Sequence, residues 1–139
     1  MLMKILVINR QKEVIGQIAA VLASVEPVIR YYDSGLDGLL AARIESFDLI
    51  VCSTDLPVIT GFELVRSLRN SSINKSTPVI FLADELNHKT TYLSHILGAA
   101  ATVKLNDEQL EGALQKQKVY FESKGPSQFQ DIFPGYSLN

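Results

Sequence analysis

The stretch Leu49-Ile50-Val51-Cys52-Ser53 constrains the fold of this 139-residue chain more than any other. It is apolar without polar alternation. As a strand it must be covered on both faces, which requires a sheet sandwiched between helices. The run stops at Ser53. Pro57 follows four residues later and Gly61 four after that, where a helical spacing opens. A second doubly apolar run, Pro78-Val79-Ile80-Phe81-Leu82, demands the same burial.

Other segments alternate around these two. Residues 4–8 predict a first strand and residues 27–32 a second. Residues 99–105 predict a short fifth. Between them, apolar residues recur at helical spacing. Val14, Ile15, Ile18, Val21 and Leu22 mark a helix over about 11–24. Leu36, Leu39, Leu40 and Ile44 mark the next, capped by Asp33 or Ser34. A third helix covers about 61–68, and residues 70–76 form a loop by composition. A fourth covers 87–97, with Tyr92, Leu93, Ile96 and Leu97 on its inner side and Gly98 closing it. The last begins at a cap on Asn106 or Asp107 and turns Leu110, Ala113, Leu114 and Phe121 inward. Five strands alternating with five helices make βαβ units and a parallel α/β sheet with right-handed crossovers. Gly125-Pro126 and Pro134-Gly135 interrupt the remainder, so the expected organisation is one domain over residues 1–121 and an irregular extension over 122–139.

Composition narrows the class of function. The chain is 47% apolar and 20% charged, an ordinary globular balance. A formal net charge of -2 and the lack of a basic block give no reason to expect nucleic acid or an anionic membrane as a direct partner. The single cysteine, Cys52, excludes an intrachain disulfide and a multi-cysteine metal site, and reads as a small core residue. No apolar run approaches the roughly 20 residues of a membrane span. Lys4 is followed by only four apolar residues, too few for a signal peptide. The expected location is cytoplasmic.

The segment from Phe47 to Val65 closely resembles the third strand, active-site loop and third helix of the receiver domain of bacterial response regulators, and the resemblance extends over roughly residues 4–118. It implies the flavodoxin-like doubly wound sheet, strand order 2-1-3-4-5, with its cleft at the carboxyl ends of strands 1 and 3. In that family the residue four before the proline is an aspartate that accepts a phosphoryl group from a histidine kinase. Here it is Ser53. An acidic pair that helps hold a magnesium ion follows strand 1 in the family; here the matching residues are Asn9 and Arg10. A neutral amide and a permanent cation disfavour a divalent ion at that place. The hydroxyl-bearing switch residue at the end of strand 4 maps to Ala83, and the aromatic switch residue of strand 5 to Thr102. The family lysine maps to Leu105, with Lys104 one residue away and therefore turned to the other face unless the loop is rearranged. Pro57, Gly61, Pro78 and Gly98 keep the framework.

The resemblance thus implies a degenerate receiver, a pseudo-receiver: a response-regulator-like signalling module without a catalytic residue, metal or cofactor. It would act by phosphorylation-independent protein contact in a phosphorelay-type pathway. Its partner would be a kinase, an output domain or another regulator, with a homodimer through helix 4, strand 5 and helix 5 as one arrangement. His88, Tyr92 and His95 on helix 4 are the candidate contact residues. The histidines lie roughly 10 Å apart along the helix, too far for a two-histidine metal site. Two alternatives remain: phosphorylation at Asp55 or Ser53, the serine having no histidine near in sequence and Asp55 as its only close carboxylate, and a small-anion or ligand sensor using Arg10 and Lys104 in the emptied cleft.

Overall fold

The computed structural model describes residues 2–105, 108–130, 134–135 and 137–138. In chain order the main elements are β1 (Met3–Ile8), α1 (Val14–Val21), β2 (Pro27–Tyr32), α2 (Gly35–Ile44), β3 (Leu49–Ser53), α3 (Gly61–Ser71), β4 (Val79–Ala83), α4 (His88–Ile96), β5 (Ala101–Lys104) and α5 (Glu108–Gln130). The five strands form one parallel sheet in the order β2-β1-β3-β4-β5. This is the flavodoxin-like doubly wound arrangement expected from the sequence.

The doubly apolar strands are explained by the two layers of packing. Alternate residues of β1 and β3 serve opposite faces. Ile5, Val7, Leu49 and Val51 join Val14, Ile18, Leu110 and Leu114 from α1 and α5. Leu6, Ile8, Ile50 and Cys52 join Leu64, Val65 and Leu68 of α3 on the other side. The N-terminus of α3 carries a capping box: Thr60 Oγ1 accepts from the Glu63 N–H, and the Glu63 carboxylate accepts from the Thr60 N–H.

Three helices depart from their sequence patterns. In α2 the buried residues are Gly35, Gly38, Ala41 and Ala42, while Leu36, Leu40 and Ile44 face solvent. Sterics decide this: a Cβ on Gly38 would stand 2.5 Å from Cδ1 of Ile8, so the helix lies too close to β1 for a large side chain. In α4, Ser94 is buried, as is Leu97 just after the helix, whereas Tyr92 and Ile96, expected inside, are exposed. The third departure is α5, which continues past Phe121 to Gln130, so residues 122–130 are helical instead of irregular. Once Leu110, Ala113, Leu114 and Phe121 are anchored, each added residue extends an existing helix without a new nucleation cost. The expected caps Asn106 and Asp107 lie outside the described residues. For α2 the cap is Ser34, whose Oγ accepts from the Asp37 N–H at 3.3 Å.

Candidate functional site

The carboxyl ends of β1, β3 and β4 surround a cavity of about 330 Å³ lined by Asn9, Arg10, Gln11, Ser53, Asp55, Leu82, Asp84 and Leu105. It lies at the point where chain order reverses between β1 and β3, where sheets of this kind place their ligands. The parallel register creates the convergence, because Ile8 pairs with Cys52 and Ser53 with Leu82, so the three strands end at one level.

Asn9 is buried, with 2% of its surface exposed. Its N–H donates to the Tyr32 carbonyl at 3.1 Å, its carbonyl accepts from the Tyr31 hydroxyl at 2.5 Å, and its Oδ1 accepts from the Gln11 N–H at 2.7 Å. The side-chain oxygen of Asn9 is therefore engaged by its own turn. The Tyr31 hydroxyl titrates above its usual range, chiefly because burial disfavours the phenolate.

Arg10 reaches over the cavity mouth. Its Nη1 lies 3.8 Å from Oδ2 of Asp55, and both side chains are about two-thirds exposed. A pair this long and this wet contributes between roughly 0 and 1 kcal/mol to stability. Its consequence is spatial: a guanidinium occupies the neighbourhood of the one loop carboxylate.

Ser53 ends β3. Its Oγ accepts from the Asp55 N–H at 3.2 Å and faces the Asp55 carbonyl at 3.4 Å. This is a local serine turn, which folds the start of the β3–α3 loop back on itself. The loop is held further by Thr54 N–H to the Leu82 carbonyl at 2.9 Å and by Gly61 N–H to the Thr54 carbonyl at 3.3 Å. Gly61 has to be glycine, since a Cβ there would stand 2.1 Å from the Ser53 carbonyl oxygen. The spacing from Ser53 to Gly61 thus records a close approach of α3 to the end of β3.

Ala83 is buried at the end of β4, and the residue after it, Asp84, lines the cavity. Asp84 was missed from sequence; its only signal was its place directly after a doubly apolar strand. Thr102 pairs with Phe81 within the sheet and does not line the cavity. Leu105 does line it, while Lys104 is exposed and is not among the lining residues. Cys52 is fully buried, and burial pushes its thiol up to about 12. Among the described residues no group of three or more His, Cys, Asp or Glu side chains is placed to hold a metal ion.

A second, more open concavity of about 600 Å³ runs along α4, lined by Leu86, Asn87, His88, Thr91, Tyr92 and His95. The structure therefore brings His88, Tyr92 and His95 to one surface. Asn87 caps this helix reciprocally with Thr90, fixing its first turn beside the β4–α4 loop.

Residues 5–115 match the response regulator receiver domain. The chain belongs to that family. Over 80 residues, 58% of this chain, it is 32% identical to the transcriptional regulatory protein CusR of Escherichia coli K12, and the match spans 34% of CusR. The receiver fold is equally plain in three dimensions. The chemotaxis response regulator CheY4 of Vibrio cholerae superposes with a TM-score of 0.71 at 22% identity, covering 86% of this chain and 98% of CheY4. The receiver domain of the sensor histidine kinase PA1611 from Pseudomonas aeruginosa PAO1, solved with a magnesium ion coordinated in its active-site cleft, gives 0.70 at 19% identity, covering 84% and 98%. The receiver sheet here is five-stranded and parallel, and among the described residues no helix is long and apolar enough to cross a membrane.

Proposed function

We propose that this receiver signals by protein contact without phosphotransfer. What supports the reading is the content of the cleft: it is lined by Asn9, Arg10 and Ser53, which the sequence resemblance matches to two metal-binding carboxylates and the acceptor aspartate, and Arg10 leans on Asp55 at 3.8 Å. This donor set does not fit a divalent ion. One carboxamide oxygen is already bonded to Gln11, the adjacent side chain is cationic, and a like charge repels a metal. Among the described residues the Ser53 hydroxyl is bonded by a backbone amide and carbonyl, and no side-chain base is hydrogen-bonded to it.

The contact surface on this reading is α4 with the neighbouring edge strand β5. Tyr92 is exposed, and Leu86 and Ile96 add apolar surface beside it. His88, Lys89, His95 and Lys104 supply neutral-to-positive chemistry, which suits a partner with acidic residues around apolar anchors. A small-anion sensor draws less support, because Asp84 joins Asp55 in the cavity and Lys104 does not line it.

Two measurements test the proposal. Intact mass after incubation with acetyl phosphate and magnesium should be unchanged; an added phosphoryl group on Ser53 or Asp55 makes this an atypical phosphorylated receiver instead. Tyr92→Ala should abolish capture of the cognate kinase or output protein, and capture that survives it removes α4 from the contact.

A further inference from the structure

The cavity at the carboxyl ends of the strands holds charges of both signs, and they are poorly matched to one another. Arg10 has one acidic neighbour, Asp55, at 3.8 Å in an exposed pair. Asp84 lines the same cavity and is exposed, and among the described residues its carboxylate has neither a hydrogen bond nor an ion pair. Two carboxylates repel a simple anion, and the guanidinium repels a simple cation. The set is satisfied by a ligand that carries both signs.

The sheet sets the spacing of the two charges. β1 and β4 pair with β3 on its two sides. Arg10 follows β1 and Asp84 directly follows β4, so their backbones stand on opposite sides of Ser53, about 10 Å apart at two strand spacings. An ammonium and a carboxylate on one carbon, each with a hydrogen bond of about 2.8 Å, span about 8 Å. Side chains reaching inward from the two strand ends bridge that length. The cavity, about 330 Å³, has room for such a molecule, and Leu82 and Leu105 add apolar lining.

We propose that this cleft binds a free α-amino acid with a short aliphatic side chain. The ligand carboxylate takes the Arg10 guanidinium, whose planar fork matches it in two hydrogen bonds. It displaces Asp55, and a contact so long and so exposed yields at little cost. The ligand ammonium has three donors. Asp84 and the released Asp55 accept two of them. The Ser53 hydroxyl takes the third, because it accepts one amide N–H and keeps a second lone pair. The aliphatic side chain lies toward Leu82 and Leu105. The inference rests on the reading of this cleft as free of phosphotransfer, and it gives the emptied cleft a ligand. Because the cavity is open to solvent, the dissociation constant is on the order of 1 mM.

Backbone-amide NMR on the full chain tests it, with L-valine as the probe and its two halves, isobutylamine and 3-methylbutanoate, as controls. L-valine should give saturable shifts at Arg10, Ser53, Asp55 and Asp84 with a midpoint near about 1 mM. Each half should bind at least about tenfold more weakly, since it leaves one charge of the cleft unmet. Arg10→Gln and Asp84→Asn, with unchanged circular dichroism, should each raise the midpoint about tenfold. No saturable shift with L-valine up to about 20 mM overturns the proposal. So does a half that binds as tightly as the whole, which makes the cleft a site for a simple ion, or an Asp84→Asn variant that binds like the parent. These results stand apart from the acetyl phosphate experiment. An added phosphoryl group removes the phosphotransfer-free reading whatever L-valine does, whereas an unchanged mass with no L-valine shift removes this inference alone.

Discussion

Replacing Asn74 by alanine should be the most damaging single truncation of a polar side chain in this protein. Asn74 is fully buried. Its Oδ1 accepts from the Phe47 N–H at 2.9 Å and from the Thr77 hydroxyl at 2.9 Å. Its Nδ2 donates to the carbonyls of Ala42 at 2.6 Å and Glu45 at 2.8 Å. One carboxamide thus closes the C-terminus of α2, which has no glycine cap, and ties the α2–β3 connection to the α3–β4 connection. Truncation leaves the Thr77 hydroxyl its contact with the Phe47 carbonyl at 3.3 Å, but strands the Phe47 N–H and two carbonyls. A buried group left unsatisfied costs about 1–3 kcal/mol, and the carbonyls nearest the surface recover some of that from water. The expected loss is about 3–5 kcal/mol, a large share of the roughly 5–15 kcal/mol of a typical domain. At a urea dependence of about 1–3 kcal/mol per molar, the unfolding midpoint should fall by about 2 M with the slope unchanged. Asn74→Asp should also destabilise, since a carboxylate would face two carbonyl oxygens, and its deficit should shrink as the pH falls and the carboxyl protonates. A loss below about 1 kcal/mol in Asn74→Ala would refute the reasoning, because it would mean that the stranded groups find partners the native structure does not offer.

Three further expectations can be checked alongside. Ser53→Asp should fold and stay inert to acetyl phosphate with magnesium, because the new carboxylate shares its cavity with Arg10; opposite charges about 4 Å apart attract by about 4 kcal/mol at an intermediate dielectric. Labelling of that single variant contradicts the account of the cleft, whereas labelling only after Asn9→Asp and Arg10→Asp are added agrees with it. Gly61→Ala should lower thermal stability by about 1–3 kcal/mol, since its Cβ has only 2.1 Å to the Ser53 carbonyl and backbone must move; an unchanged melting temperature counts against that close approach. Glu45 is held below the usual carboxylate range first by its hydrogen bond from Lys4, with Nζ to Oε2 at 2.6 Å, against an opposing effect of burial. A carboxylate more acidic when folded stabilises the protein above its unfolded pKa and loses that contribution as pH falls through the folded value. Lys4→Met should therefore flatten the stability profile on the acid side, and identical profiles for parent and variant would exclude the linkage.

The positions of the strands were legible because burial on both faces leaves a local mark. Residues 49–52 and 79–82 contain no polar residue, and the structure places them in central strands. The approach of α3 to β3 was legible for a similar reason, since only glycine at position 61 tolerates it. The positions lining the cleft were visible through the order of the strands: Asn9, Arg10, Ser53 and Leu105 each fall just past or at a strand end. Asp84 went unnoticed because a single carboxylate after a strand looks like any turn residue.

What tertiary structure alone decided is which side of a helix faces in and where a loop residue reaches. The spacing of Leu36, Leu39, Leu40 and Ile44 marked α2 as a helix, but periodicity counts side chains and is blind to how near the next layer lies. With Ile8 against Gly38, only glycine and alanine fit beneath, and the large residues were left outside. The same blindness covered Tyr92 and Ile96 on α4. Asn74 is the sharper case: in sequence it is one polar residue in a polar loop, yet its four bonds reach residues 42, 45, 47 and 77. Three of those partners lie roughly thirty residues away in sequence, and short-range patterns carry information only about neighbours along the chain. Local chemistry determined the elements and their order. The distances between layers, set only when the elements pack, determined which face each helix shows and which polar residue holds the connections.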